Sequence, residues 1–293
     1  MFRQKTGSVV CASCGSLVGV NDETCYTCGR RNPGLWGFGP VLRRFGNDMG
    51  FVQLVVYGCL AMYAISILLT LAFGEAIQMD SIFSALGPSS LAAFVLGDSG
   101  ALPVFRFGRW WTVLSAGWLH GGALHILFNV MWIRNLGPAV ADIFGAGRMV
   151  IIYTIACAAG FLLSSFCGYY LGGMPFIGGG QFTLGASAPI FGLLGALVHY
   201  GRRGGSSLIR NEAWGYALSM FAFGLISPGG IDNAAHAGGF IGGYLASLWL
   251  DPLKRERMDH FIGAVICLVL TLLSIVASVV TGLPIVLQML RRG

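Results

Sequence analysis

Seven apolar segments dominate this chain, at about 51–73, 123–141, 149–171, 184–200, 213–227, 233–250 and 261–285. A helix needs roughly 20 apolar residues to cross a bilayer, and a helix satisfies its own backbone groups where no water can. The expected fold class is therefore an all-α polytopic membrane protein. The fourth to sixth segments are marginal in length, so they must be packed inside a bundle. Composition agrees: only 10% of residues are charged, against roughly 25% in soluble domains. Forty-five glycines suit closely approaching membrane helices. No signal peptide is visible over residues 1–30, which hold four cysteines and no apolar core.

Charge placement predicts orientation. With a cytoplasmic N-terminus, fourteen of the 18 Lys and Arg fall on the cytoplasmic side, leaving Arg106, Arg109, Arg291 and Arg292 outside. That asymmetry is the one the positive-inside rule expects. The net charge of +6 does not point to nucleic acid, because no large basic face is present. Small size and short termini suggest a bacterial inner membrane.

Ahead of the first segment, residues 1–32 read as a separate module. Cys11, Cys14, Cys25 and Cys28 form two C-x-x-C knuckles, each followed by Gly. Four thiolates at this spacing suit tetrahedral zinc, and the glycines allow the tight turns. Two disulfides or a redox pair would use the same spacing. The lack of a βαβ pattern and the reducing compartment favour structural zinc, with no cofactor expected for catalysis. The module is too small to fold on a core alone, so the metal would supply its stability. Docking a cytoplasmic partner is a further possible role. Residues 33–50 form a basic juxtamembrane linker; its Arg43 and Arg44, with Arg30 and Arg31 just before it, read as anchors facing anionic lipid. Residues 51–285 then form the transmembrane domain, with 74–122 a long outer loop, functional or partly inserted.

Polar residues stand where apolar ones are cheapest. His125 and Asn129 are four apart in the first turns of the second segment and share a helix face. Ser187 opens the fourth segment and His236 the sixth. In the predicted topology all four sit near the outer ends of different helices, at similar depth, and ionisable residues inside spans are functional candidates. Ser187 needs a base to become a nucleophile, and His236 is the histidine at matching depth. His125, Asn129 and the amides at the start of the fourth helix can donate to an oxyanion. Gly185 permits close approach before Ser187, and Phe191 shares the Ser187 helix face, where it could stack on His236. Asp232 could orient His236 but reads better as a helix N-cap. His120 precedes the span and is expected to line the outer mouth. His260 sits among charges and reads as inert. The α/β-hydrolase elbow is excluded for "GASAP": the second Gly is missing and no strand precedes it.

At these residues the chain resembles the rhomboid intramembrane serine proteases. "HGGALHILFN" (120–129), "GAS" (185–187) and "AHAGGFIGG" (235–243) resemble three motifs of that family, in order. The resemblance covers about 51–285 but not the cysteine module. It implies a six-helix core, with 261–285 as an added seventh helix. It also implies a Ser187–His236 dyad and an oxyanion hole of His125, Asn129 and the Ser187 amide. Two departures stand out. Ala188 and Pro189 follow the serine in place of Gly, and Thr112 occupies the Arg place of the family's outer-loop Trp-Arg pair. The implied activity is endopeptidase cleavage of transmembrane segments within the lipid bilayer. Candidate gate residues for lateral entry are Trp214, Phe221, Phe223 and Phe128, although core or lipid-facing packing explains them equally well. Gly239 and Gly243 are expected to let the sixth helix pack closely on the fourth. The alternatives are a non-proteolytic relative that binds membrane clients, disfavoured because Ser187 and His236 are both present, and a transporter, disfavoured by the scarcity of midplane charges.

Overall fold

The computed structural model describes residues 3–44, 46–82, 84–172, 174, 178–204, 206–226 and 231–291. Arg292, counted above on the outer side, lies outside them. The N-terminal module holds β1 (Ser8–Val10) and β2 (Leu17–Gly19), paired antiparallel with Val9 opposite Val18. The first knuckle forms the turn of this hairpin. The second sits in a smaller one closed by a Thr24–Arg31 bridge. Gly15 and Gly29 both take positive φ behind their knuckles, as the tight turn requires.

Nearly all the rest is helical. A short α1 (Gly39–Arg43) precedes α2 (Phe51–Ala72), and the outer loop carries α3 (Ser90–Leu96) and α4 (Thr112–Ser115). There follow α5 (Ala123–Phe144), α6 (Ala146–Tyr170), α7 (Ser187–Arg202), α8 (Ser207–Ile226), α9 (Asn233–Trp249) and α10 (Met258–Leu290). The seven predicted segments thus correspond to α2 and α5–α10. The helices α2, α6 and α10 are each long and apolar enough to cross a membrane alone, and α5 passes that test together with the loop helix before it, bent by 94°.

The marginal helices occupy the interior. Twelve of the 16 residues of α7 are buried, and it packs against α5, α6, α8 and α9. A helix apolar on all sides is stable only when surrounded, which is why its short length suffices. Glycine permits the closest approach. A Cβ on Gly239 would lie 2.0 Å from the Ala188 carbonyl oxygen, and one on Gly243 would lie 2.1 Å from that of Gly192. The sixth segment therefore meets the fourth backbone to backbone, through the two glycines singled out in the sequence.

The helix α10 is 33 residues long, or about 50 Å at ~1.5 Å per residue. That exceeds the roughly 30 Å hydrocarbon layer, so it tilts or protrudes.

Two of the four juxtamembrane arginines depart from expectation. Arg30 is 4% exposed and pairs with Glu256 at 3.8 Å, while Arg43 donates to the Cys11 carbonyl at 2.8 Å. Neither serves as a lipid anchor; both fasten the module. The Ser13 hydroxyl donates to the Glu256 carbonyl at 2.6 Å, and Arg255 donates to Thr27 O at 3.3 Å. Glu256 also accepts from the Arg148 N–H at 3.0 Å. Burial pushes its carboxyl above the usual range, against the pull of Arg148 and Arg30. The module is thus docked on the α9–α10 connection and the start of α6, at the end of the bundle opposite the outer loop.

Candidate active site

The nucleophile candidate is set by its approach. Gly185 has φ of +132°, a conformation other residues rarely adopt, and its N–H donates to Ala116 O at 2.9 Å. The space a Cβ would occupy there lies 2.7 Å from His125 Nε2 and 3.6 Å from Ser187 Oγ. Gly185 therefore keeps open the gap between these two side chains. The helix α7 begins at Ser187. Pro189 lies in the first turn, where a missing N–H costs nothing, so the departure after the serine leaves the helix intact.

The Ser187 hydroxyl and His236 Nε2 are 2.9 Å apart. The His236 ring stacks on Phe191 with centroids 4.1 Å apart and planes at 11°. His236 is 5% exposed, and its Nδ1 has no hydrogen-bond partner among the described residues. Asp232 does not reach it. Its carboxylate caps α9 by accepting from the Ala235 N–H at 2.9 Å, and it also accepts from the Ser164 hydroxyl. The imidazole is held by stacking rather than by a third polar member.

His125 Nδ1 accepts from the Gly121 N–H at 3.3 Å. That bond assigns the ring proton to Nε2, which faces the gap beside Ser187. Asn129 is buried and donates from Nδ2 to His125 O at 2.8 Å; this uses one of its two N–H protons. His120 departs from expectation. It does not line the mouth but is 1% exposed, edge-on to the His125 ring at 5.1 Å. Neither ring nitrogen has a partner among the described residues.

A cavity of about 860 Å³ reaches this site, lined by His125, Leu184, Asp232 and Asn233 and by Gln78 and Ser81 of the outer loop. Trp214 packs on Phe240 at 4.9 Å between centroids, so of the gate candidates it belongs to the helix interface. Phe128 and Phe223 are exposed. Asn233 Nδ2 donates to Phe221 O at 3.3 Å, joining the end of α8 to the start of α9. His260 caps the start of α10 by accepting from the Arg257 N–H at 3.2 Å, away from the site.

Sequence reasoning missed the backbone frame around the serine. Ser99 and Thr183 exchange two backbone hydrogen bonds of 2.9 and 2.8 Å. The outer loop thereby pairs with the segment leading to Ser187. Such a contact has no residue-type signature.

Residues 107–252 match the family described as Rhomboid domain. They span the end of the outer loop, α4–α9 and every residue of the candidate site. The chain belongs to the rhomboid family. "Rhomboid protease GluP" of Bacillus subtilis is 31% identical over 152 residues, covering 48% of this chain and 26% of that one. "Rhomboid protease GlpG" of Pectobacterium atrosepticum is 31% identical over 144 residues, 47% of this chain and 48% of the relative. "RHOMBOID-like protein 4" of Arabidopsis thaliana is 28% identical over 215 residues, 68% of this chain and 52% of that one. Matches thus span about half or less of these relatives. This rhomboid is an integral, multi-pass membrane protein.

The cysteine module of this rhomboid lies outside the family match. Its four Sγ atoms all lie within 4.8 Å of one another, with Cys14–Cys25 at 3.6 Å and Cys11–Cys28 at 3.7 Å. A disulfide needs about 2.05 Å. Tetrahedral zinc with Zn–S bonds of about 2.3 Å sets its sulfurs ~3.8 Å apart. The donor set therefore fits a metal, not two bridges. Burial pushes the Cys11 thiol up to about 12. At Cys14 burial also pushes upward, but hydrogen bonds from Ser16 outweigh it and bring the thiol down to about 6. Four clustered thiols cannot all ionise unaided, and a divalent cation resolves the conflict.

Proposed function

We propose that this rhomboid is a serine endopeptidase that cleaves transmembrane segments of membrane proteins through a Ser187–His236 dyad. The observation that carries the reading is the 2.9 Å contact between Ser187 Oγ and His236 Nε2 at the head of a buried helix, with the imidazole fixed on Phe191. His236 Nε2 takes the Ser187 proton as Oγ attacks the scissile carbonyl. His236 then returns that proton to the leaving amine, giving an acyl-enzyme. Water, deprotonated by the same nitrogen, releases the acid and restores Ser187. His125 Nε2–H, the free Asn129 Nδ2–H and the Ser187 amide stabilise the oxyanion. A substrate helix hides its carbonyls in its own hydrogen bonds, so segments with helix-breaking residues near the outer end are preferred.

In the module, Cys11, Cys14, Cys25 and Cys28 would hold zinc, which supplies structural cross-linking and no catalytic chemistry. Fourteen of 18 basic residues support a cytoplasmic N-terminus, in a bacterial inner membrane. The test is cleavage of a model transmembrane substrate in liposomes by the wild type and by Ser187→Ala. Cutting by the wild type alone, within the apolar segment, is expected. Equal cutting by both rejects Ser187 as nucleophile. Neither cleavage nor labelling by a mechanism-based serine probe points instead to a client-binding relative.

A further inference from the structure

The seventh helix carries a pattern unexpected for an added span. In its outer half the buried residues of α10 are Thr271, Ser274, Ser278, Gly282 and Val286. Their spacing of three and four puts them on one helix face. Its other faces expose Leu270, Leu272, Leu273, Val276 and Val280. Small polar residues along one stripe of a lipid-bathed helix mark a packing face.

That stripe meets the outer loop. The Ser274 hydroxyl donates to Trp111 O at 2.7 Å, and the Ser278 and Ser115 hydroxyls are 3.3 Å apart. Arg109 stands at the centre. It is 2% exposed; Nη2 donates to Ser278 O and Nη1 to Phe94 O, both at 2.8 Å. Its guanidinium lies over the Phe94 ring at 4.1 Å. A Cβ on Gly282 would fall 3.0 Å from Arg109 Nη2, so glycine makes room for the cation. A buried guanidinium is costly unless its donors are matched. Here the planar fork bridges two carbonyls from elements far apart in sequence.

The loop side continues to the nucleophile. The Ser115 hydroxyl donates to Gly97 O at 2.8 Å, and Thr112 Oγ1 donates to Ser99 Oγ at 3.3 Å. Ser99 pairs with Thr183, and Ala116 O accepts from Gly185 N–H, two residues before Ser187. We infer that Arg109 is a positioning residue for the hydrolytic site: by locking α10 to the outer loop, it holds the loop in the register that sets the backbone before Ser187. The inference rests on the protease reading for its kinetic consequence, but not for its structural one.

The test uses the full-length protein in detergent or liposomes. Arg109→Met keeps bulk and removes the fork; Arg109→Lys keeps charge but offers a point donor. Gly282→Ala places one methyl against the guanidinium and is the milder variant should Arg109→Met fail to fold. Leu272→Ala, on the exposed face of α10, is the control. Two readouts are taken well below each melting temperature. The first is amide hydrogen exchange at Thr183 and Gly185 in a Ser187→Ala background. Exchange is expected to quicken at least tenfold in Arg109→Met, less in Gly282→Ala, and not at all in Leu272→Ala. The second is labelling of Ser187 by a serine probe, expected to slow at least tenfold in Arg109→Met with partial recovery in Arg109→Lys. Unchanged exchange at Thr183 and Gly185 in folded Arg109→Met overturns the inference. Faster exchange without labelling of even the wild type retains the positioning and rejects the protease reading.

Discussion

Gly185 and Phe191 define what single residues do for this site. Gly185 combines a positive φ with a gap that a methyl would fill. Gly185→Ala is expected to abolish cleavage, by at least ~100-fold, because it meets His125 Nε2 and strains the turn; its melting temperature should fall by only a few degrees, since the cost is about 1–2 kcal/mol. Comparing cleavage rate with thermal unfolding checks this, and a variant equally inactive and unfolded would contradict it. Phe191 holds the His236 ring by stacking, where a Ser-His-Asp triad holds it by a hydrogen bond to a carboxylate. Phe191→Leu keeps most of the volume and loses the stack, worth about 0.5–1.5 kcal/mol. The expected result is a kcat lowered by roughly 2- to 10-fold with KM little changed, measured under steady state on a model substrate.

Between elements, the α7–α9 contact is decided by glycine. A Cβ on Gly239 would overlap the Ala188 carbonyl, one residue past Ser187. Gly239→Val must push α9 away and carry His236 with it. Loss of activity as complete as in Ser187→Ala is expected, while the protein still inserts; full activity in the purified variant would refute the packing. The outer loop shows the same logic with different chemistry. Thr112 stands where the family resemblance calls for arginine, but Arg109, three residues earlier, is the buried guanidinium of this loop.

Across the whole molecule, the cysteine module is docked rather than tethered. The buried Arg30–Glu256 pair joins it to the α9–α10 connection, and removing one partner of a buried ion pair costs about 3–5 kcal/mol. Glu256→Gln is therefore expected to speed limited proteolysis of residues 3–44 without altering the metal content of the intact chain. One zinc per chain, by elemental analysis, is expected in the wild type and lost in Cys11→Ser. Because thiolates bind the metal and protons compete for them, zinc is expected to leave on acidification. Retention of zinc in Cys11→Ser would overturn the four-thiolate assignment.

The apolar segments that become helices, the knuckles and the identity of the polar residues were legible in the residues alone. These are local facts: hydrophobic runs of fixed length, ligand spacing, and a serine or histidine where hydrocarbon makes polarity expensive. The sequence also carried the pairing of α7 with α9, because glycine four residues apart states how closely a helix can be approached. Packing in three dimensions was needed to bury His120 beside His125 and to turn Arg30 and Arg43 to the module rather than to lipid. The same holds for the grip of α10 on the loop before Ser187. Arg43 and Arg109 take backbone carbonyls as their partners. Every residue carries a carbonyl, so the sequence cannot mark which one a buried donor will find until the chain has folded.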